Sequence, residues 1–221
     1  MSAPVDDLEQ RVQDASDELM EIMPAAITLA MMFRHRKMSS WFRTEFEGYD
    51  EGAALPDFRR DVVGHIVAKS PQYGWIPAPV NDKQKLEHGH RDLPDGVKTL
   101  ERFCMKCKKG SGQQIAFPPD QMLALQAQIN LSAELAITVS RESYVDVLRV
   151  IRSAIYLWTR ELVALGFSGE HNSFNDSERA KAAHLDDPER FWREAMTEAP
   201  SLPIPGVRTS GFLERVFGRA S

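Results

Sequence analysis

Ser39-Ser40-Trp41-Phe42-Arg43-Thr44-Glu45-Phe46-Glu47-Gly48-Tyr49 is followed by Leu55-Pro56-Asp57-Phe58-Arg59-Arg60, then by Gly64 and by Gly74-Trp75-Ile76-Pro77. The first block has the spacing of a short amphipathic helix over Ser40 to Glu47. Ser39 or Ser40 can cap its N-terminus through a hydroxyl. Gly48 is the residue type that closes a helix in a left-handed conformation without a Cβ penalty. Pro56 makes the preceding Leu55 extended. Val62, Val63, Ile66 and Val67 then read as a strand, Ser70-Pro71-Gln72-Tyr73-Gly74 as a turn and Trp75-Ile76 as the partner strand. Pro77 and Pro79 keep that partner at a sheet edge. A helix giving way to a hairpin predicts an α+β fold.

Working outward, the flanks are mostly helical. Val5, Leu8, Val12, Ala15, Leu19 and Ile22 recur at three- and four-residue steps, which predicts one amphipathic helix over 5–22. Pro24 interrupts it and opens a second helix, Ala25 to about Arg34, apolar nearly all round. Residues 50–57 are a polar connection, and residues 81–91 read as charged and irregular. A further helix is expected from Asp95 to Met105, a short strand from Ile115 to Phe117, a helix opened by Pro118-Pro119-Asp120 and a strand over Leu135 to Val139. The longest helix runs from Glu142 to Leu165, with Tyr144, Val147, Leu148, Ile151, Ala154, Ile155, Trp158, Leu162 and Leu165 as its inner stripe and Gly166 as its stop. The expected architecture is mainly helical: a bundle around that long helix, with a small antiparallel sheet or hairpin at one side. Residues 1–167 form the main domain. Residues 168–221 read as a linker plus short C-terminal helices, one of them started by Asp187-Pro188.

Composition bounds the function classes. Apolar residues make up 43% and charged residues 27% of the 221, with a formal net charge of −5. That suffices for one substantial core. No apolar run approaches the ~20 residues a membrane-spanning helix needs, and the acidic start has no secretory pattern. With only Cys104 and Cys107, no disulfide scaffold is expected. A cytoplasmic location follows. The negative balance disfavours broad nucleic-acid binding, which depends on neutralising phosphates.

The order Trp41, Glu45, Gly48, Tyr49, then Leu55, Pro56, Phe58, Arg59, then Trp75 resembles the AbiTii family, the abortive-infection domain of bacterial phage-defence proteins. The family pattern is a helix with Trp and an acidic residue closing in Gly-Tyr, a Leu-Pro-x-aromatic-Arg segment and a hairpin ending in Gly-Trp. The resemblance spans residues 5–166 in element order and is specific over residues 39–77. It implies phage defence as a context and points to Glu45, Tyr49, Arg59 and Trp75 as binding residues, converging where the third helix meets the hairpin. In the family this domain often precedes a separate effector region. Only about fifty residues follow it here, too few for an independent enzyme domain, so a partner is expected to supply the toxic activity.

Other constellations are weighed on their chemistry. His88, His90, Cys104 and Cys107 have ligand types that suit zinc. Their spacing is irregular, however, and two thiols packed on a helix is the plainer reading, so no metal and no cofactor is expected. Arg34, His35, Arg36, Lys37 and Arg43 form one positive cluster and Lys106, Lys108 and Lys109 another; each reads as a solvated face, without the interleaved aromatics that stack bases. No nucleophile elbow and no phosphate-cradling glycine loop occurs, and no catalytic residue is assigned. Trp41, Tyr49, Trp75 and Trp158 read as core aromatics, with a ligand pocket as the alternative. Phe212, Leu213, Val216 and Phe217 share one face of a terminal helical turn and suit a partner-binding tail.

The expected function is a non-enzymatic sensing or assembly module of phage defence, acting through a protein partner or self-association, with no membrane span. The alternatives are a metal-dependent nuclease or nucleotide-processing toxin, and a small-ligand (nucleotide) sensor with its pocket beside the hairpin.

Overall fold

The computed structural model describes residues 4–106, 111–167 and 173–197. In chain order the elements are helices α1 (Pro4–Gln13), α2 (Leu19–Met32) and α3 (Arg36–Glu47), a 3-10 turn at Asp57–Arg59, strands β1 (Val62–Ser70) and β2 (Gly74–Pro77), helix α4 (Asp82–His88) and strand β3 (His90–Arg91). Helix α5 (Val97–Lys106), strand β4 (Gly112–Ala116), helix α6 (Pro119–Ile129), strand β5 (Leu135–Ser140) and helix α7 (Arg141–Ala164) follow. Helix α8 (Asp176–Ala182), a second 3-10 turn at Ala183–Leu185 and helix α9 (Pro188–Thr197) complete the described chain. The fold is mainly helical α+β with a small antiparallel sheet, as expected.

Two compact units divide these elements. Of the described residues, a helical unit takes those up to Gly48, Asp95–Met105 and those from Leu148 on; a sheet unit takes Tyr49–Pro94 and those between Lys106 and Val147. In the helical unit the long helix carries the predicted stripe: Ile151, Ala154, Ile155, Trp158 and Leu162 are fully buried. Trp158 meets Phe42 of α3 edge-on, with ring centroids 5.5 Å apart. Burial of each such large side chain contributes on the order of 1.5–3 kcal/mol. The helix stops at Gly166, whose φ of +86° a side chain would resist. The helix expected from Asp187-Pro188 is α9, with Phe191 and Trp192 buried.

In the sheet unit the strand order is β2-β1-β5-β4, all antiparallel, with β3 paired to the start of β1. β5 is central, and its nearly continuous apolar run Leu135-Ala136-Ile137 is buried. β2 lies at an edge, where Pro77 leaves no interior ladder bond missing.

Three expectations need correction. The helix expected over 5–22 is broken at residues 14–18, because Asp14 Oδ1 takes the Ser16 amide at 2.8 Å and turns the chain. Pro24 consequently sits inside α2 rather than at its start. α3 begins at Arg36, so neither Ser39 nor Ser40 caps it; Ser39 Oγ instead donates to the Arg36 carbonyl at 3.1 Å. Residues 81–91 are not irregular. Asn81 and Gln84 form a reciprocal capping box that starts α4.

Candidate functional site

Besides its pairing with β5, β1 receives two partners at different points along its length. Val67–Ser70 pair with β2, and Val62–Val63 pair with β3. Between those ladders, Gly64 N donates to the Gly89 carbonyl at 2.8 Å and Ala78 N donates to the Ile66 carbonyl at 3.0 Å. A cleft of about 440 Å³ opens here, walled by Pro77, Ala78 and Val80 on one side and by Leu86 and His90 on the other. Its lining is mostly apolar. Two glycines let the backbones close in: a side chain at Gly64 would strike Ile137, and one at Gly89 would strike the Lys85 carbonyl. The sequence reading made nothing of Gly64 and took residues 81–91 as irregular, so the cleft was not legible as a lined site; the Asn81–Gln84 spacing was the signal that could have found its α4 wall.

The residues singled out by pattern divide between the units. Glu45, in the helical unit, is fully buried, and its Oε1 accepts the Trp41 indole N–H at 3.0 Å. The i to i+4 spacing on α3 sets that pair. In the sheet unit, Tyr49 and Arg59 come together. The Arg59 guanidinium lies 5.3 Å from the Tyr49 ring centroid and 5.9 Å from that of Phe58. Arg59 is wholly buried, and its Nη1 donates to the Leu93 carbonyl at 2.6 Å while its own carbonyl accepts the Leu93 amide at 2.9 Å. Tyr49 N in turn donates to the Pro94 carbonyl at 2.9 Å. These bonds fix the segment 49–59 against residues 93–94. Trp75 lies elsewhere on the hairpin, with Lys69 Nζ 5.7 Å from its ring, beside a shallow groove that Glu134 also lines.

Two buried charges of the helical unit escaped the sequence reading. Arg152 donates to four backbone carbonyls: Val12 through Nε at 2.7 Å, Asp17 through Nη1 at 2.8 Å, and Arg11 and Asp14 through Nη2 at 3.2 and 2.6 Å. Burial lowers its pKa, with Glu101, Asp17 and Asp14 opposing. Glu101 accepts the Leu19 and Met20 amides at 2.5 and 2.8 Å and thereby caps α2 from a distant segment. Burial pushes its carboxyl pKa up, against the pull of those two N–H groups. Both were read as parts of amphipathic helices; only their places on the buried faces of α7 and α5 could have flagged them.

Of the zinc-type residues, Cys104 is buried in α5, His88 and His90 belong to the sheet unit, and Cys107 lies outside the described residues. Among the described residues no group of three or more His, Cys, Asp or Glu side chains is placed to hold a metal ion. In the basic cluster, Arg34 pairs with Asp176 at 3.1 Å on the surface, whereas His35 is buried between Phe33 and Trp158. Phe212, Leu213, Val216 and Phe217 lie outside the described residues. No helix among the described residues is long and apolar enough to cross a membrane.

The AbiTii family profile matches residues 5–186, and the chain therefore belongs to the AbiTii family, an abortive-infection domain of phage defence. No protein of curated function and no solved structure matches it.

Proposed function

We propose that the chain is a non-enzymatic sensing and assembly module of phage defence, working through contact with a protein partner or a second copy. The observation that carries this reading is the distribution of exposed large apolar side chains. Of the eight among the described residues, Val63, Tyr73, Ile76, Leu86 and Leu123 lie on the sheet unit, and Met31, Met105 and Met196 on the helical unit. A contiguous exposed apolar patch commonly marks a binding face, and Val63 and Leu86 lie together along one cleft of the sheet unit. Arg59, Arg152 and Glu101 are turned onto main-chain atoms and rings, where they hold segments in place.

Light scattering and phage challenge test it together. The wild-type chain is expected to associate, with itself or with a co-purifying protein, and Tyr73→Ser/Leu86→Glu is expected to lose both association and protection while its far-UV circular dichroism is unchanged. Hydrolysis of RNA, DNA or dinucleotides by the pure chain with divalent metals would contradict it. A second reading, a small-ligand sensor, is favoured by one feature, the cleft beside the hairpin.

A further inference from the structure

We infer that the cleft between β2 and α4 binds a small organic anion with an apolar body. The inference rests on the second reading, the small-ligand sensor, and names the class of ligand.

Size and lining come first. At about 440 Å³ the cleft falls in the range of roughly 300–1,000 Å³ typical of small-molecule pockets. Main chain of β1 forms one surface, and its ladder bonds to Gly89 and Ala78 hold that surface rigid without any ligand. α4 is held in turn by the Asn81–Gln84 capping box, and Gln84 is buried. The cleft is therefore pre-formed, which lowers the ordering penalty of binding. At its lip, Val63 is 64% and Leu86 73% exposed. Both side chains would leave water on closing over an apolar body.

Charge then selects among apolar ligands. Among the described residues that line it, Lys85 is the one formally charged residue, His65 and His90 are the other ionisable ones, and none is a carboxylate. Lys85 Nζ sits 2.9 Å from Asp82, but both ends of that pair are largely exposed. Exposed pairs of this kind are weak, so the ammonium can turn to a ligand at little cost. His65 and His90 also line the cleft, and because an imidazole ring carries at least one N–H, an anionic group is a partner all three side chains can take. Aromatic and aliphatic anions fit this description equally.

Fluorescence titration of the full chain with anilinonaphthalene sulfonate, an anionic aromatic, tests the site. N-phenyl-naphthylamine serves as the neutral counterpart. Saturable binding of both dyes at one site is expected. Leu86→Glu should weaken both about tenfold, and Lys85→Glu should weaken the anion about tenfold while leaving the neutral dye unchanged. Leu86 and Lys85 are exposed, so both variants keep the fold, checked by thermal midpoint. Dye binding indifferent to Leu86→Glu overturns the site, and equal response of the two dyes to Lys85→Glu overturns the choice of an anion. Thermal shifts with adenosine monophosphate and with decanoate tell the aromatic from the aliphatic source, and stabilisation by neither overturns the proposal. Phage protection that depends on the exposed apolar residues, with no dye site found, would remove the ligand and leave the defence reading standing.

Discussion

Arg152 Nη2 donates to the carbonyl of Asp14 at 2.6 Å, across 138 positions of sequence. With its bonds to Val12, Asp17 and Arg11, this one guanidinium closes the turn between α1 and α2. Replacing it by Leu leaves four carbonyls without that donor, the one of Val12 buried and the other three part-buried. Arg152→Leu is expected to lower the unfolding free energy by about 3 kcal/mol or more. Arg152→Lys should fare little better, because an ammonium cannot reach the same fork of acceptors. Urea midpoints at constant slope check both.

The Tyr49–Arg59 contact should be separable from the role of Arg59 in holding Leu93. In a double-mutant cycle of Tyr49→Leu and Arg59→Met, a coupling of about 0.5–2 kcal/mol is expected from the ring–guanidinium contact. A coupling near zero would reduce Tyr49 to packing alone.

His35 gives a pH dependence with a definite sign. Burial lowers its pKa below the ordinary imidazole value of about 6.5. Asp186 and the Ala182 carbonyl pull the other way, and His184 adds to the depression. The unfolded chain therefore binds a proton at a higher pH than the folded chain. The stability from neutral His35 is full above about pH 6.5 and is lost as pH falls from there toward the folded-state pKa. Over that window the slope approaches 1.4 kcal/mol per pH unit for one proton. His35→Leu, compared with wild type by urea unfolding between pH 7.5 and 5, should remove this component. Parallel curves would show that His35 does not supply it.

Arg34 ends α2 with φ +60°, where its amide reaches the Met31 carbonyl and the His35 amide reaches that of Ala30. Glycine adopts this conformation without steric cost. The surface pair with Asp176 that it would lose is weak. Arg34→Gly is expected to be neutral or stabilising by up to about 1 kcal/mol, read as a thermal midpoint at or above wild type.

Legibility followed the range of the interaction. Local signals announced Gly48, Gly166, the Pro119 start of α6 and the edge position of β2, because each depends on a few adjacent residues. The stripe of α7 was legible from periodicity alone. What stayed hidden was set at long range or by side-chain detail. Glu101 caps α2 from 81 and 82 positions away, and Arg152 closes the turn at residues 14–18, so nothing local marked either. The charged surface of α4 outweighed its Asn81–Gln84 box and concealed one wall of the cleft. Of the four family-pattern residues, Tyr49 and Arg59 meet; Trp75 stands with Lys69, and Glu45 with Trp41.

The most direct test of recognition without chemistry is phage plaquing on a host in which Leu86→Glu/Tyr73→Ser replaces the wild-type chain at its own locus. With the variant present at wild-type level, plaque numbers are expected to rise to those of a strain lacking the gene. Undiminished protection would contradict a function carried by these exposed apolar residues.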